Sequence, residues 1–389
     1  MARSNKKQIK KQKIIFIANI QAHHEIFNQD IICKLAENNF DVVVVAKKEK
    51  KTIFDGRDKI KFINWNIDRG NKNIIKEFAS LIDLAKIIQR EKPDIIHNFT
   101  IKANIYGSIT GRLFSGAKIY NTVTGLGYVY TDNKLSSLLL RLIIKPLWLF
   151  ALNFSQLIMF MNKTDLETMG KFIFLPRKVV IPGHGIDTKE FSRAKVNKRY
   201  LDNIIADNPE IRKSIVITTV GRLIRHKGIY EFIEAARNIL SKYPGLLFVI
   251  VGLTDSLNPS RISKTEISKI NNERILFLYN RDDVREILSL SDIFVLASYR
   301  EGAPQVIIEA MSMGLPIITT DVAGCNERVI NGYNGFLVRH KDSKGIILAI
   351  EKLLQTPKLA KRMGHNSRKL VMKKYQRQML TNKIVKFYE

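Results

Sequence analysis

Two carboxylates and two cations in the second half of the chain have the types and spacing for chemistry. Glu301 and Glu309 stand eight residues apart in YREGAPQVIIEAMSMGLPIITT, residues 299–320, and Arg222 and Lys227 stand five apart beside Gly221 and Gly228. Arginine and lysine at a strand end can neutralise a diphosphate, arginine in bidentate geometry. Carboxylates accept hydrogen bonds from ribose and sugar hydroxyls. A nucleotide sugar needs both kinds of group, Glu309 suiting the ribose and Glu301 the sugar or its departing ring carbon. Each residue alone also reads as a solvated surface charge, because the chain carries 64 Lys and Arg and 36 Asp and Glu.

The elements that must position these groups are legible around them. Ile293–Leu296 is an apolar strand, and Arg300-Glu301-Gly302 is the turn that follows. Pro304 stands where a helix starts, Gly314 ends it, and Pro316 precedes a strand at 317–319. That is the strand–loop–helix–strand unit of a parallel sheet, whose ligands collect at the strands' carboxyl edge and at helix N-termini. The same alternation runs throughout: IIFIAN at 14–19, VVVV at 42–45, DIIH at 94–97, KIYNTV at 118–123, then IVITTV at 215–220, LLFVIVG at 246–252 and ILFLYN at 275–280. Runs of β-branched residues suit strands covered on both faces.

With 389 residues, 45% of them hydrophobic, the chain is too long for one ordinary core and predicts two. The expected division is an α/β domain over residues 1–188 and a second over 189–374, joined near VVIPGHGIDTKEF, with a terminal helix at about 375–389 returning to the first. Residues 21–24, with His23 and His24, read as a loop. TGLGYVY, residues 124–130, reads as a loop close to a ligand or to the other domain. His97 ends a strand and is the choice for a polar group near the reacting sugar.

The net charge of +28 admits nucleic acid, an anionic membrane surface or phosphorylated substrates as partners. Nucleic acid is not expected, because most aromatics fall inside predicted elements rather than interleaving a basic patch. The most apolar stretch, residues 135–161, stays under the roughly 18 uninterrupted apolar residues of a membrane span. It reads either as a core helix or as one docking into a membrane interface, kinked or broken at Pro146. Cys33 and Cys325 have no metal or disulfide spacing and read as packing residues, in keeping with a reducing compartment. No GxGxxG follows the first strand and no GxxxxGK[ST] occurs.

These segments together resemble glycosyltransferase family 4, over nearly the whole chain and most from 220 to 338. The resemblance rests on Gly221-Arg222-Leu223 with Lys227-Gly228, the Glu301–Glu309 pair, TDVAGCNERVINGYNGFLV at 320–338, and IPGHGID at 181–187. It implies the GT-B fold, two Rossmann-like domains facing across a cleft. It implies that Arg222 and Lys227 hold a donor diphosphate and that Gly302, Ala303, Pro304, Gln305 and Val306 bring backbone N–H groups near it. Glu301 is implied to lie near the donor sugar and Glu309 at the ribose. HNFTIKANIYGSITGRL and NTVTGLGYVYT resemble bacterial members that build glycans on a polyprenyl-diphosphate carrier. In much of the family a histidine stands after the strand at 118–123; here that loop reads Thr124-Gly125-Leu126-Gly127.

The function so implied is retaining transfer of a hexose or N-acetylhexosamine, with no cofactor or metal. The donor so implied is a nucleotide sugar, UDP-linked as this branch favours, and the acceptor is a lipid-linked saccharide. The expected location is peripheral, at the cytoplasmic face of an anionic inner membrane. The competing classes are another GT-B enzyme (an epimerase or a soluble-acceptor synthase) and a basic scaffold without activity.

Overall fold

The computed structural model describes residues 11–68, 73–126, 135–253, 258, 260–281 and 283–389, the side chains of 135–140 and 264 aside. Seven strands form one parallel sheet: β1 Lys13–Ile20, β2 Asp41–Lys47, β3 Ile60–Asn64, β4 Ile95–Phe99, β5 Lys118–Val123, β6 Leu157–Phe160 and β7 Arg177–Val180. Their order is β3-β2-β1-β4-β5-β6-β7. Six more form a second sheet: β8 Ile215–Val220, β9 Leu246–Gly252, β10 Ile275–Tyr279, β11 Ile293–Leu296, β12 Ile317–Thr320 and β13 Gly335–Val338, in the order β10-β9-β8-β11-β12-β13. Each sheet reverses direction beside its first strand, the arrangement that opens a ligand crevice at the carboxyl edge.

The unbroken apolar strands follow from burial on both faces. Ile14, Phe16, Val42 and Val44 enter one core of the first half, and Ile15, Ile17, Val43 and Val45 the other. In the second half Leu246, Phe248 and Ile250 face one core, and Leu247, Val249 and Val251 the other. Side chains alternate across a strand, so a strand covered twice must be apolar at every position.

The chain crosses between the halves twice, at neighbouring places. Ile186 donates its N–H to the Tyr375 carbonyl at 2.8 Å, and Arg377 donates to the Ile186 carbonyl at 3.0 Å. Gly185, with φ +71°, lies so close that a Cβ there would stand 2.8 Å from the Arg377 Cα. The last helix, Arg377–Val385, lies against the first half, where Ile384, Val385 and Tyr388 join the core of β1 and β2.

Two segments differ from the sequence expectation. Residues 21–24 are helical: Gln21–His23 leads into a π-helical turn, His24–Asn28, and then the helix Gln29–Glu37. Gln21 holds this turn in place, its Oε1 accepting from the Glu49 N–H at 2.9 Å and its Nε2 donating to Glu25 at 2.8 Å. Pro146 does not end its helix, which runs Leu135–Leu152. The proline deprives the Leu142 carbonyl of its partner, but Leu142 is 72% exposed, on a face where water can serve that oxygen.

Candidate functional site

The site is assembled where loops from the carboxyl edges of both sheets meet. Val220 ends β8, and a short 3-10 turn, Arg225–Lys227, follows. Gly228 closes the turn with φ +70°, and a Cβ there would stand 2.0 Å from the Ala297 carbonyl oxygen. The turn is thereby pressed against the end of β11. The Lys227 stem lies along Gly221, whose missing Cβ would be 3.6 Å from the lysine Cδ. Its ammonium is bonded to Glu301 Oε1, and both side chains are largely shielded, at 18% and 14% exposure. Ser298 Oγ donates to the same carboxylate oxygen at 2.7 Å, and the Glu301 N–H donates to the Ala323 carbonyl at 3.0 Å. The cation and carboxylate chosen from sequence are therefore direct partners. Arg222 leaves β8 two residues after its end, and its side chain is exposed.

After Glu301 the backbone turns into the helix Gln305–Ser312, with Pro304 before it and no side chain capping it. The first N–H groups of that helix face the end where Gly302 and Ala303 approach, a favourable place for an anion. Val306 is half-buried on its first turn. The Gln305 amide is already engaged, donating to the Gly185 carbonyl at 3.1 Å. Glu309 lies one turn beyond. Its carboxyl is densely surrounded by protein, which raises its pKa from 4.5 to about 7, against a smaller downward pull from Arg377. It receives no side-chain hydrogen bond within the described residues, although the residue keeps a partial opening to solvent.

His97 does not join this group. It sits in the middle of β4, 1% exposed, with Nδ1 bonded to the Tyr388 hydroxyl and Nε2 at 2.7 Å from Thr122 Oγ1. Desolvation, with repulsion from His184 and His23, lowers its pKa to about 3. Both ring nitrogens are committed within the fold, so His97 ties Tyr388, just past the last helix, to the first sheet rather than reaching a sugar. Thr124 and Gly125 approach the other half: a Cβ on Gly302 would stand 1.8 Å from the Thr124 carbonyl oxygen. Gly127–Tyr130, the rest of that loop reading, lie outside the described residues. Among the described residues, no group of three or more His, Cys, Asp or Glu could hold a metal ion. Sequence reasoning passed over Ser298, Asn162 and Asp165, which are ordinary residues in sequence and touch the glutamate loop only once folded.

The chain is similar to known proteins over both halves. Residues 202–370 match the model of glycosyl transferases group 1, and residues 13–162 match that of glycosyl transferase 4-like proteins. An Escherichia coli protein, UDP-Gal:alpha-D-GlcNAc-diphosphoundecaprenol alpha-1,3-galactosyltransferase, is 34% identical over 286 residues, spanning 73% of this chain and 72% of its own length. The chain belongs to glycosyltransferase family 4. A second relative of this glycosyltransferase is 28% identical over 378 residues, covering 97% of this chain and 98% of its own. It is the N,N'-diacetylbacillosaminyl-diphospho-undecaprenol alpha-1,3-N-acetylgalactosaminyltransferase of Campylobacter jejuni. The fold matches sucrose-phosphate synthase from Thermosynechococcus elongatus with TM-score 0.80 at 19% identity, over 97% of this chain and 98% of that one. This places the glycosyltransferase in the GT-B architecture, two Rossmann-like halves with the paired Lys227 and Glu301 where their loops meet.

Proposed function

We propose that this glycosyltransferase moves a hexose or N-acetylhexosamine from a UDP-linked donor to a sugar carried on a polyprenyl diphosphate, with retention at the anomeric carbon. The observation that carries the reading is the Lys227–Glu301 pair beside an uncapped helix N-terminus. A cation and helix N–H groups suit the diphosphate, and the carboxylate suits the sugar attached to it. The names of both relatives, each an α-1,3 transferase acting on a diphospho-undecaprenol sugar, support the acceptor class.

In this scheme Arg222, Lys227 and the backbone N–H groups from Gly302 to Val306 hold the diphosphate, and Glu309 accepts from the ribose. The bond between the anomeric carbon and the diphosphate oxygen breaks, with the electron pair leaving on the phosphate. The acceptor oxygen forms its bond from the same face, and its proton passes to the departing phosphate. Glu301 stabilises the oxocarbenium-like sugar between these events. Arg222 and Lys227 supply the positive charge the leaving group needs, so the scheme uses neither metal nor cofactor.

The first half offers a surface for the acceptor's membrane. Leu142, Ile143 and Phe150 on the helix Leu135–Leu152 are 60–72% exposed, and Phe174 and Leu175 are 78% and 81% exposed. The two segments adjoin, since Lys145 lies over the Phe172 ring at 5.0 Å and Asn153 Oδ1 accepts from the Phe174 N–H at 2.9 Å. No described helix is long and apolar enough to cross a membrane. An apolar patch with Lys145 beside it, on a chain of net charge +28, suits peripheral docking on anionic lipid at the cytoplasmic face.

The test is nucleotide release from a panel of UDP- and GDP-sugars, with and without a polyprenyl-diphosphate-linked sugar. Release from one UDP-sugar that depends on the lipid acceptor is the expected result. Release from none, with tight binding to oligonucleotide or vesicles alone, overturns the assignment.

A further inference from the structure

The loop that carries Glu301 is fastened on both sides to the other half of the molecule. On one side Arg300 makes an ion pair through Nη2 with Asp165 Oδ1, and Asp165 is fully buried. On the other, the Gly302 carbonyl accepts a 2.9 Å hydrogen bond from Asn162 Nδ2. Asn162 and Asp165 are themselves one unit. Asn162 Oδ1 accepts from the Asp165 N–H at 2.7 Å, and Asn162 Nδ2 donates to Asp165 Oδ2 at 2.9 Å. The next backbone donor, the Lys163 N–H, bonds Glu327 Oε1 at 2.6 Å, again across the two halves. Gly302 also packs so closely on Thr124 and Gly125 that no side chain fits there.

We propose that Asn162, Asp165 and Arg300 form a latch between the halves that positions Glu301 for the donor sugar. The inference rests on the sugar-facing role proposed above for Glu301. A helix cap alone requires only the asparagine and the Asp165 N–H. It does not require a fully buried carboxylate whose two oxygens divide between the cap and a cation from the other half. A buried carboxylate is retained at a desolvation cost unless charged and hydrogen-bonding partners offset it, and here the charged partner immediately precedes Glu301. With residues 300 and 302 both held by the first half, the φ and ψ freedom of Glu301 is fixed from that half. Lys227 and Ser298 hold the carboxylate from its own half, and the latch adds a hold on the flanking backbone that exists only while the two halves are engaged. Asn162, Asp165 and Arg300 are positioning residues in this account, acting through Glu301.

The experiment compares Asp165→Asn, Asn162→Ser and Arg300→Gln with the wild type in full-length protein. Serine keeps a helix cap but is too short to hold the Gly302 carbonyl as well. It carries the test if Asp165→Asn does not fold. The readouts are turnover of the wild type's best UDP-sugar and the dissociation constants of UDP and of that UDP-sugar. The expected result is a tenfold or greater loss of kcat with UDP affinity changed less than about twofold. The preference for UDP-sugar over UDP should fall as far as it does in Glu301→Gln, with no further fall when Asp165→Asn is added to Glu301→Gln. Unchanged kcat in folded variants, UDP affinity falling in step with kcat, or additive losses with Glu301→Gln would each overturn the latch. A wild type that turns over no sugar nucleotide overturns the proposed function instead, and the two failures are separately visible.

Discussion

Lys227 and Glu301 neutralise each other, and a diphosphate would compete with that carboxylate for the ammonium. Because the phosphate charge grows as the sugar leaves, Lys227→Ala is expected to lower kcat 100-fold or more while raising the donor KM less; an unchanged kcat removes lysine from the leaving-group role. Glu309 carries the opposite kind of strain. Its raised pKa means that the folded protein favours the protonated carboxyl. This contribution is fully present below the ordinary carboxylate range, about 4.5, and is lost as pH rises towards 7, up to about 3 kcal/mol in all. Glu309→Gln should therefore stabilise the ligand-free protein relative to wild type at pH 8 and make little difference at pH 4.5, as read by urea titration. It should also weaken UDP binding at pH 8. Equal stability of the two proteins at both pH values would show that the carboxyl ionises freely.

At the scale of elements, the 3-10 turn Arg225–Lys227 depends on the glycine behind it. Gly228→Ala combines a left-handed φ of +70° with a Cβ 2.0 Å from the Ala297 oxygen. A loss of roughly 3 kcal/mol or more is expected, with Lys227 displaced and turnover reduced in whatever protein folds. A denaturation midpoint like that of wild type would mean the turn relaxes freely. The helix Leu135–Leu152 makes the opposite point, because it continues through Pro146 rather than breaking there. Its inner side is anchored by Trp148, Ala151 and Leu152, all buried, so packing holds the helix on after one backbone bond is lost.

At the scale of the molecule, the last helix makes the ends of the chain interdependent. Tyr388 packs among Phe16, His97 and Tyr120 in the first half, far from it in sequence. Tyr388→Ala should cost about 3–5 kcal/mol, leaving His97 Nδ1 unbonded as well as a cavity. Both tryptophans, Trp65 and Trp148, are buried in the first half, so the transition is readable by fluorescence, and an unshifted midpoint would show the helix to be dispensable. The surplus charge belongs at this scale too. Binding to vesicles containing anionic lipid should weaken with salt and fall at least tenfold in a Phe174→Glu, Leu175→Glu variant, with binding of UDP retained. Vesicle binding insensitive to both changes would remove this face from the membrane.

The parallel α/β plan was legible because both faces of each sheet are covered, which forces continuous apolar strands such as Val42–Val45 and Leu246–Val251. Lys227, Glu301 and Glu309 could be picked out as candidates because they stand beside glycine and proline at strand ends, and the structure pairs the first two. The sequence could not show that His97 spends both nitrogens inside the fold, since Thr122 and Tyr388 reach it from 25 and 291 positions away. Nor could it show that Arg300 pairs with Asp165, 135 positions earlier. Period and composition are local properties of a chain, and the sequence by itself determined the elements and the chemical types at their ends. Which side chain faces which across the two halves depends on how two separately built sheets meet, and only the tertiary structure decided that.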